Sequence, residues 1–271
     1  MDAARKRRYA VRVIAVLSVA AFLLEGIHLF SGRSDRLREI YGGALQIAHP
    51  EYRVTLARET DSGPISTDLQ MSAQEVEPSL GARTIFGQIQ MNVLGLVSAP
   101  SLPRTRMSEL LASFGGGRGT DEILKSKARQ EISELPEGKF ASAIVELADP
   151  MTEDELTSNG QTSGIRSDAV YLFLSGKRPN ADLPLYWRPC AVYEEECIRT
   201  PAVQLFRHWT ANLNWADAVN LHNYDLDISE LRQAAERGLV YGFLAYGYSG
   251  KALAEIVDQP TVRTVRIVAI S

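Results

Sequence analysis

The feature that most constrains this chain is a basic run followed at once by an uncharged apolar one. Arg5, Lys6, Arg7, Arg8 and Arg12 precede Val13 to Leu24, twelve residues without a charge, and Glu25 to Phe30 continue the apolar character with one Glu and one His. Twelve residues match the length of a signal-peptide core, whereas a spanning helix needs about 20. The longer span is reached by taking Tyr9 to Phe30, with Arg12 snorkelling at one interface and Glu25 and His28 at the other. No pair of small residues stands two apart at a cleavage distance, since Gly26 follows Leu24, Ser31 follows Leu29 and Gly32 follows Phe30 in that spacing. The segment is therefore expected to be an uncleaved signal anchor, with cleavage as the alternative. Five basic residues before it against Arg33, Arg36 and Arg38 after it put the N-terminus in the cytoplasm and the C-terminal part outside.

Charge is divided the same way. The whole chain carries −4, of which the first twelve residues hold +4, so the remainder is acidic at −8. An acidic body argues against binding a phosphate backbone, and no nucleic-acid partner is expected. The two cysteines, Cys190 and Cys197, enclose six residues in a stretch bracketed by Pro184, Pro189 and Pro201. In an oxidising compartment this spacing reads as a local disulfide worth roughly 2.5 kcal/mol on the loop-entropy argument. Two free thiols, or a metal site lacking its other ligands, are the alternatives.

Beyond the anchor, Leu37, Ile40, Tyr41 and Leu45 recur at helical spacing over 34–46, ending near Pro50. Strands are expected at 52–58 and 84–94, with a turn at 61–64 between them. Helices follow at 107–114 and from Thr120 or Asp121 to about Leu135, separated by the glycine-rich residues 115–119. From Phe140 the pattern sharpens: a strand to Leu147, a helix opened by Thr152 with Glu155 in the capping-box position, and a second strand over 169–174. A proline-rich excursion over 176–201 leads to helices at 203–213 and 228–237, the latter closed by Gly238. A strand at 239–246, a helix at 250–257 and a strand at 262–270 finish the chain. Two β-α-β units make a four-stranded sheet with helices on one face, and the simplest architecture is an elaborated ferredoxin-like α+β domain. Four parts are expected: a cytoplasmic basic tail over 1–12, a transmembrane anchor over 13–30, a membrane-proximal α+β region and linker over 31–135, and the ferredoxin-like domain over 136–271.

Motifs for common chemistries are missing. There is no HExxH, no GxGxxG after a strand, no Walker loop and no Cys-His cluster. Gly115 to Gly119 follow a helix and lack the Lys-Ser/Thr ending of a phosphate loop, so they read as a linker. Gly247 to Lys251 contain a partial nucleophile elbow around Ser249, which fits better as the N-cap of the next helix. His208 and His222, with Asp225 and Asp227, lie on a polar connection and read as hydrogen-bonded surface groups rather than a base with its orienting acids. Glu194 to Glu196 form an acidic knuckle between the cysteines, read as solvated. Tyr241, Phe243, Tyr246 and Tyr248 are read as strand residues of a core rather than a contact patch. The expectation is a protein that is not an enzyme and carries no cofactor and no metal.

Two stretches resemble the sigma factor regulator family, whose members are membrane-anchored proteins acting as or beside anti-sigma factors. Phe140 to Leu156 resembles that family's strand, Asp-Pro and helix start, and Leu239 to Leu253 with Gln259 to Arg263 resembles its closing strand, helix, proline and arginine-bearing last strand. The resemblance implies an extracytoplasmic sensing domain in an extracytoplasmic-function sigma factor pathway. With about twelve residues ahead of the span, it implies an accessory regulator working through a partner, either a membrane anti-sigma protein or another pathway component. The same ending is similar to the propeptide inhibitors of subtilisin-type proteases, which share the ferredoxin-like fold, so an extracytoplasmic inhibitor module is the alternative. A serine hydrolase using Ser249 is the third reading.

Overall fold

The computed structural model describes residues 32–63, 65–75, 83–114, 120–158, 170–173, 185–188 and 199–270. The apolar segment at 13–30, Cys190, Cys197, the acidic knuckle and the glycine-rich residues 115–119 lie outside that set. Among the described residues no helix is long and apolar enough to cross a membrane.

Residues 32–36 are helical and run into a π-helical turn, Leu37–Tyr41, and then α1, Gly42–Ala48. Leu37, Ile40, Tyr41, Ala44, Leu45 and Ile47 are all buried, so this short helix is a core element. Its tight seating needs glycine. A Cβ on Gly43 would stand 2.6 Å from Nε1 of Trp209, which donates at 2.9 Å to the carbonyl of Glu39.

An antiparallel meander follows: β1 (Tyr52–Ser62), β2 (Ser66–Glu75), β3 (Thr84–Asn92) and β4 (Val97–Ser98). Alternation puts Tyr52, Val54, Leu69, Met71, Ala73, Ile89 and Met91 in the core, and the opposite face carries residues such as Gln70 and Gln88. The strand β2 was not expected, because its inward residues Thr67, Leu69, Met71 and Ala73 include one β-branched side chain among helix formers.

Next come α2 (Arg106–Ala112), closed at its start by a reciprocal Thr105–Ser108 capping box, and α3 (Asp121–Ser133). A second antiparallel sheet is built from β5 (Phe140–Met151), β6 (Val170–Phe173), β7 (Leu185–Trp187), β8 (Val240–Ser249) and β9 (Val262–Ile270) in the order β7-β6-β8-β5-β9. It has five strands, not the four expected, since the proline-rich excursion contains β7. Between its strands lie α4 (Glu153–Ser158), α5 (Ala202–Ala211), α6 (Asp217–His222), α7 (Ile228–Arg237) and α8 (Gly250–Val257). The protein is thus α+β with antiparallel sheets. Because β5 and β6 each pair antiparallel with β8, they are parallel to each other, and the same holds for β8 and β9 across β5. Two crossover units therefore interleave.

Local rules hold at the ends. Thr152 and Glu155 exchange hydrogen bonds, the Thr152 N–H donating to the carboxylate at 2.8 Å, and these bonds hold the Glu155 carboxyl below its usual range. Asp227 caps α7, and Gly238 ends it at φ +61°.

Helices occupy both faces of the second sheet, which corrects the one-face expectation. Val145, Phe243 and Val265 share a core with Ala128 and Ile132 of α3 and Leu253 and Val257 of α8. On the other face Ile144, Leu244 and Val268 meet Met107 and Leu111 of α2. One buried cluster runs from Leu37 to Val265, and at its centre Trp187 lies 5.2 Å from Phe206 and 5.7 Å from Trp209 between ring centroids.

Candidate functional cleft

With both faces covered, the second sheet can be approached at its edges, and β9 is one of them. Among the described residues β9 pairs with β5 alone. A cleft of about 840 Å³ lies along it, walled by α2 through Arg106 and Leu110, by Ser113 just after it, and by α3 through residues such as Ile123, Lys127 and Glu131. Consecutive residues of β9, from Thr264 to Ile267, line it. Since neighbouring side chains on a strand point to opposite faces, a lining by consecutive residues means the cleft meets the strand edge-on.

A buried carboxylate organises the floor. Glu146 of β5 pairs with Arg266 through an ion pair and with Arg263 at 3.6 Å, both on β9. Arg263 extends this to Asp121 at the start of α3, 3.2 Å away. Arg266 reaches the other wall, donating through Nη1 to the Leu110 carbonyl at 3.1 Å and to the Ser113 hydroxyl at 2.6 Å. Its Nε is buried with no hydrogen-bond partner among the described residues. The two arginines thus neutralise Glu146 and tie the two helices to the strand they flank, which fixes the cleft's width. Arg106 and Lys127 stand exposed on its walls with Glu134.

A second buried polar centre joins distant parts of the chain. Asp217 accepts from Arg36 Nε at 3.1 Å and also from its Nη2, from the Tyr41 hydroxyl at 2.8 Å and from the Asn214 N–H at 2.7 Å. Asn220 donates to the Tyr41 hydroxyl and to the Gly95 carbonyl, each at 2.9 Å, and accepts from the Val97 N–H. Burial and the bond to Asp217 push the Tyr41 phenol up to about 12. No buried side-chain atom of Arg36, Tyr41, Asp217 or Asn220 lacks a partner, so the set welds the helical stretch at 32–48, the β3–β4 turn and α6.

The residues singled out in the sequence fall elsewhere. Ser249 Oγ accepts from the Ala252 N–H at 3.3 Å as the N-cap of α8. It borders a smaller cleft of about 540 Å³, which no histidine lines. His208 is exposed and lies 3.3 Å from the Asn212 amide, and His222 closes α6, so the two are not brought together with Asp225 and Asp227 into one constellation. Phe243 is core, whereas Tyr246 accepts a hydrogen bond from the buried Arg188 at 3.0 Å. Among the described residues no group of three or more His, Cys, Asp or Glu side chains could hold a metal ion. Sequence reading did not single out Glu146, Arg266 or Asp217. The one available signal was a charged residue inside an otherwise apolar strand, as at Glu146 between Val145 and Leu147. Comparison with protein-family models, curated proteins and solved structures finds no match for this chain.

Proposed function

We propose that this chain is a single-pass membrane protein whose outer domain is a protein-binding module, acting as an accessory regulator in an extracytoplasmic-function sigma factor pathway. The observation that carries the binding role is the open edge of β9 held between α2 and α3. An unpaired strand edge offers a row of backbone donors and acceptors, and a partner segment in extended form can add to it as another strand. Here the walls supply apolar contacts from Leu110 and Ile123 and the strand adds Ile267, with Arg106, Lys127 and Glu134 at the rim. Such a site recognises a peptide backbone, and neither redox nor hydrolytic chemistry is needed. The interleaved crossover units support an elaborated ferredoxin-like fold for the C-terminal part, as the resemblance to the regulator family implies. The strand order β6-β8-β5-β9 equally supports the protease-inhibitor reading, which places the same domain against a secreted enzyme.

The test is site-specific photo-crosslinking of the full chain in its host membrane, with the reactive group at Lys127 on the cleft wall. The proposal predicts an adduct with a membrane protein that has its own cytoplasmic sigma-binding part. An adduct with a secreted protease instead moves the assignment to the inhibitor reading. No adduct from Lys127, with adducts from a probe at Phe86, overturns the cleft as the binding site.

A further inference from the structure

Five exposed apolar side chains lie on the β1–β2 hairpin tip, on the β3–β4 turn and just before α6. The β3–β4 turn is Val93 to Leu96, fixed from below by Asn92, whose side chain accepts from the Leu94 and Leu96 N–H groups at 2.9 and 3.0 Å. Leu94 at its tip is 80% exposed, and Val93 and Leu96 are about half exposed. Ser66 pairs with Asn92, so the β1–β2 hairpin tip lies at the same end of the first sheet, and there Ile65 is 71% exposed. The turn is held against α6 by the bonds of Asn220 to Gly95 and Val97, and just before α6 stands Trp215, 88% exposed. A rigid turn that presents leucines outward, tied to a helix preceded by an outward tryptophan, spends its backbone order on apolar surface that water does not reward.

The position of the N-terminal segment says what covers it. Arg33 donates to the carbonyl of Val93 at 2.9 Å. Arg33 is three residues after Phe30, the end of the apolar segment, which allows no more than about 11 Å of chain between them. Leu37, seven residues after Phe30, is already fully buried in the core. The described helix begins at Gly32, two residues after Phe30, so a membrane holding residues 13–30 holds the Val93 turn close to its own surface.

We infer that Ile65, Val93, Leu94, Leu96 and Trp215 form a membrane-docking rim that dips into the outer interface of the bilayer carrying the anchor, an inference that rests on the anchor reading of residues 13–30. Tryptophan and leucine on a turn are suited to that interface, where an apolar body is buried while the indole N–H stays hydrated. The rim fixes the domain's orientation, so the anchor is not a simple tether and the first sheet stands with its Asn92 end toward the lipid.

The three tryptophans make the test direct, since Trp187 and Trp209 are buried and Trp215 is exposed. The full chain is reconstituted into phosphatidylcholine vesicles with or without brominated acyl chains, floated on a density gradient, and its tryptophan emission compared. The expected result is flotation with the vesicles, a fall in emission in brominated lipid, and loss of that fall in Trp215→Phe. In the Trp215→Phe background, Leu94→Trp restores the quenching, whereas Phe86→Trp, about 20 Å along β3 from Asn92, does not. Flotation without quenching at Trp215 or at Leu94→Trp overturns the docking rim while leaving the anchor in place. Equal quenching at Phe86→Trp overturns the stated orientation, and dimer formation with unquenched Trp215 assigns the rim to a second copy instead. Failure to float overturns the anchor reading and the rim together.

Discussion

The phenol of Tyr41 donates to the carboxylate of Asp217 across 2.8 Å, although the two residues stand 176 positions apart. Both side chains are buried, and the same carboxylate holds the Arg36 guanidinium. The helical stretch at 32–48 is therefore fastened to α6 by a charge, not only by apolar contact. Removing one member of such a set leaves the others buried and unmatched, which costs more than the set contributes as a whole.

Alkaline stability follows from this pair. Tyr41 ionises near 10 when unfolded and only at about 12 in the fold. Above pH 10 the unfolded chain has lost a proton that the folded chain keeps, so stability falls with pH through that window, at about 1.4 kcal/mol per pH unit for this one group. Burial also raises Tyr186 and Tyr224, which add to the same loss. Denaturant unfolding of Tyr41→Phe between pH 10 and 12 should show a shallower decline than the parent, not a flat one.

Gly43→Ala tests the packing of α1. The new methyl carbon would fall 2.6 Å from the Trp209 indole nitrogen, and backbone or ring must shift. Overpacking of this kind costs about 1–3 kcal/mol. It should also weaken the indole bond to Glu39, so thermal unfolding is expected at lower temperature together with a shifted tryptophan emission.

Glu146→Ala tests the floor of the cleft. It leaves Arg266 and Arg263 without their shared carboxylate, in a part-buried setting where such breakage costs about 3–5 kcal/mol at most. Glu146→Gln keeps the shape and should cost less. If the arginines fix the cleft's width, both variants should lose crosslinking from Lys127 at temperatures where they remain folded, the alanine variant more.

Ser249→Ala separates a cap from a nucleophile. The hydroxyl bonds the Ala252 N–H, and its loss should lower stability by about 1 kcal/mol. Fluorophosphonate treatment of the parent protein should leave Ser249 unlabelled. Labelling that the alanine variant abolishes would restore the hydrolase reading.

Much of the second sheet was legible because its strands carry apolar runs of Val, Ile, Leu, Phe and Tyr between clear breaks, and because Thr152, Gly238 and Ser249 mark helix ends by local chemistry, whereas the capping role of Asp227 was not read. The strand β2 was not, since Met71 and Ala73 favour no strand by themselves and are buried in the common core only once the meander forms. Nor was β7, three residues long between Pro184 and Pro189. That α2 closes the second face was also hidden: Ile144 and Val145 are apolar alike, and continuous burial does not say what lies on each side. The cleft residues were invisible for a related reason. Arg266 and Glu146 are 120 positions apart, and each reads alone as a charge on a strand until the register places them together.

The most direct measurement for the account as a whole is the topology of the domain. Alkaline phosphatase fused after residue 271, expressed in a bacterial host, should be active and should remain in the membrane fraction after carbonate extraction, with the intact N-terminus still attached. An inactive fusion would place the α+β domain in the cytoplasm, and an active fusion released in soluble form would mean that the apolar segment is removed; either result contradicts a membrane-anchored outer binding domain.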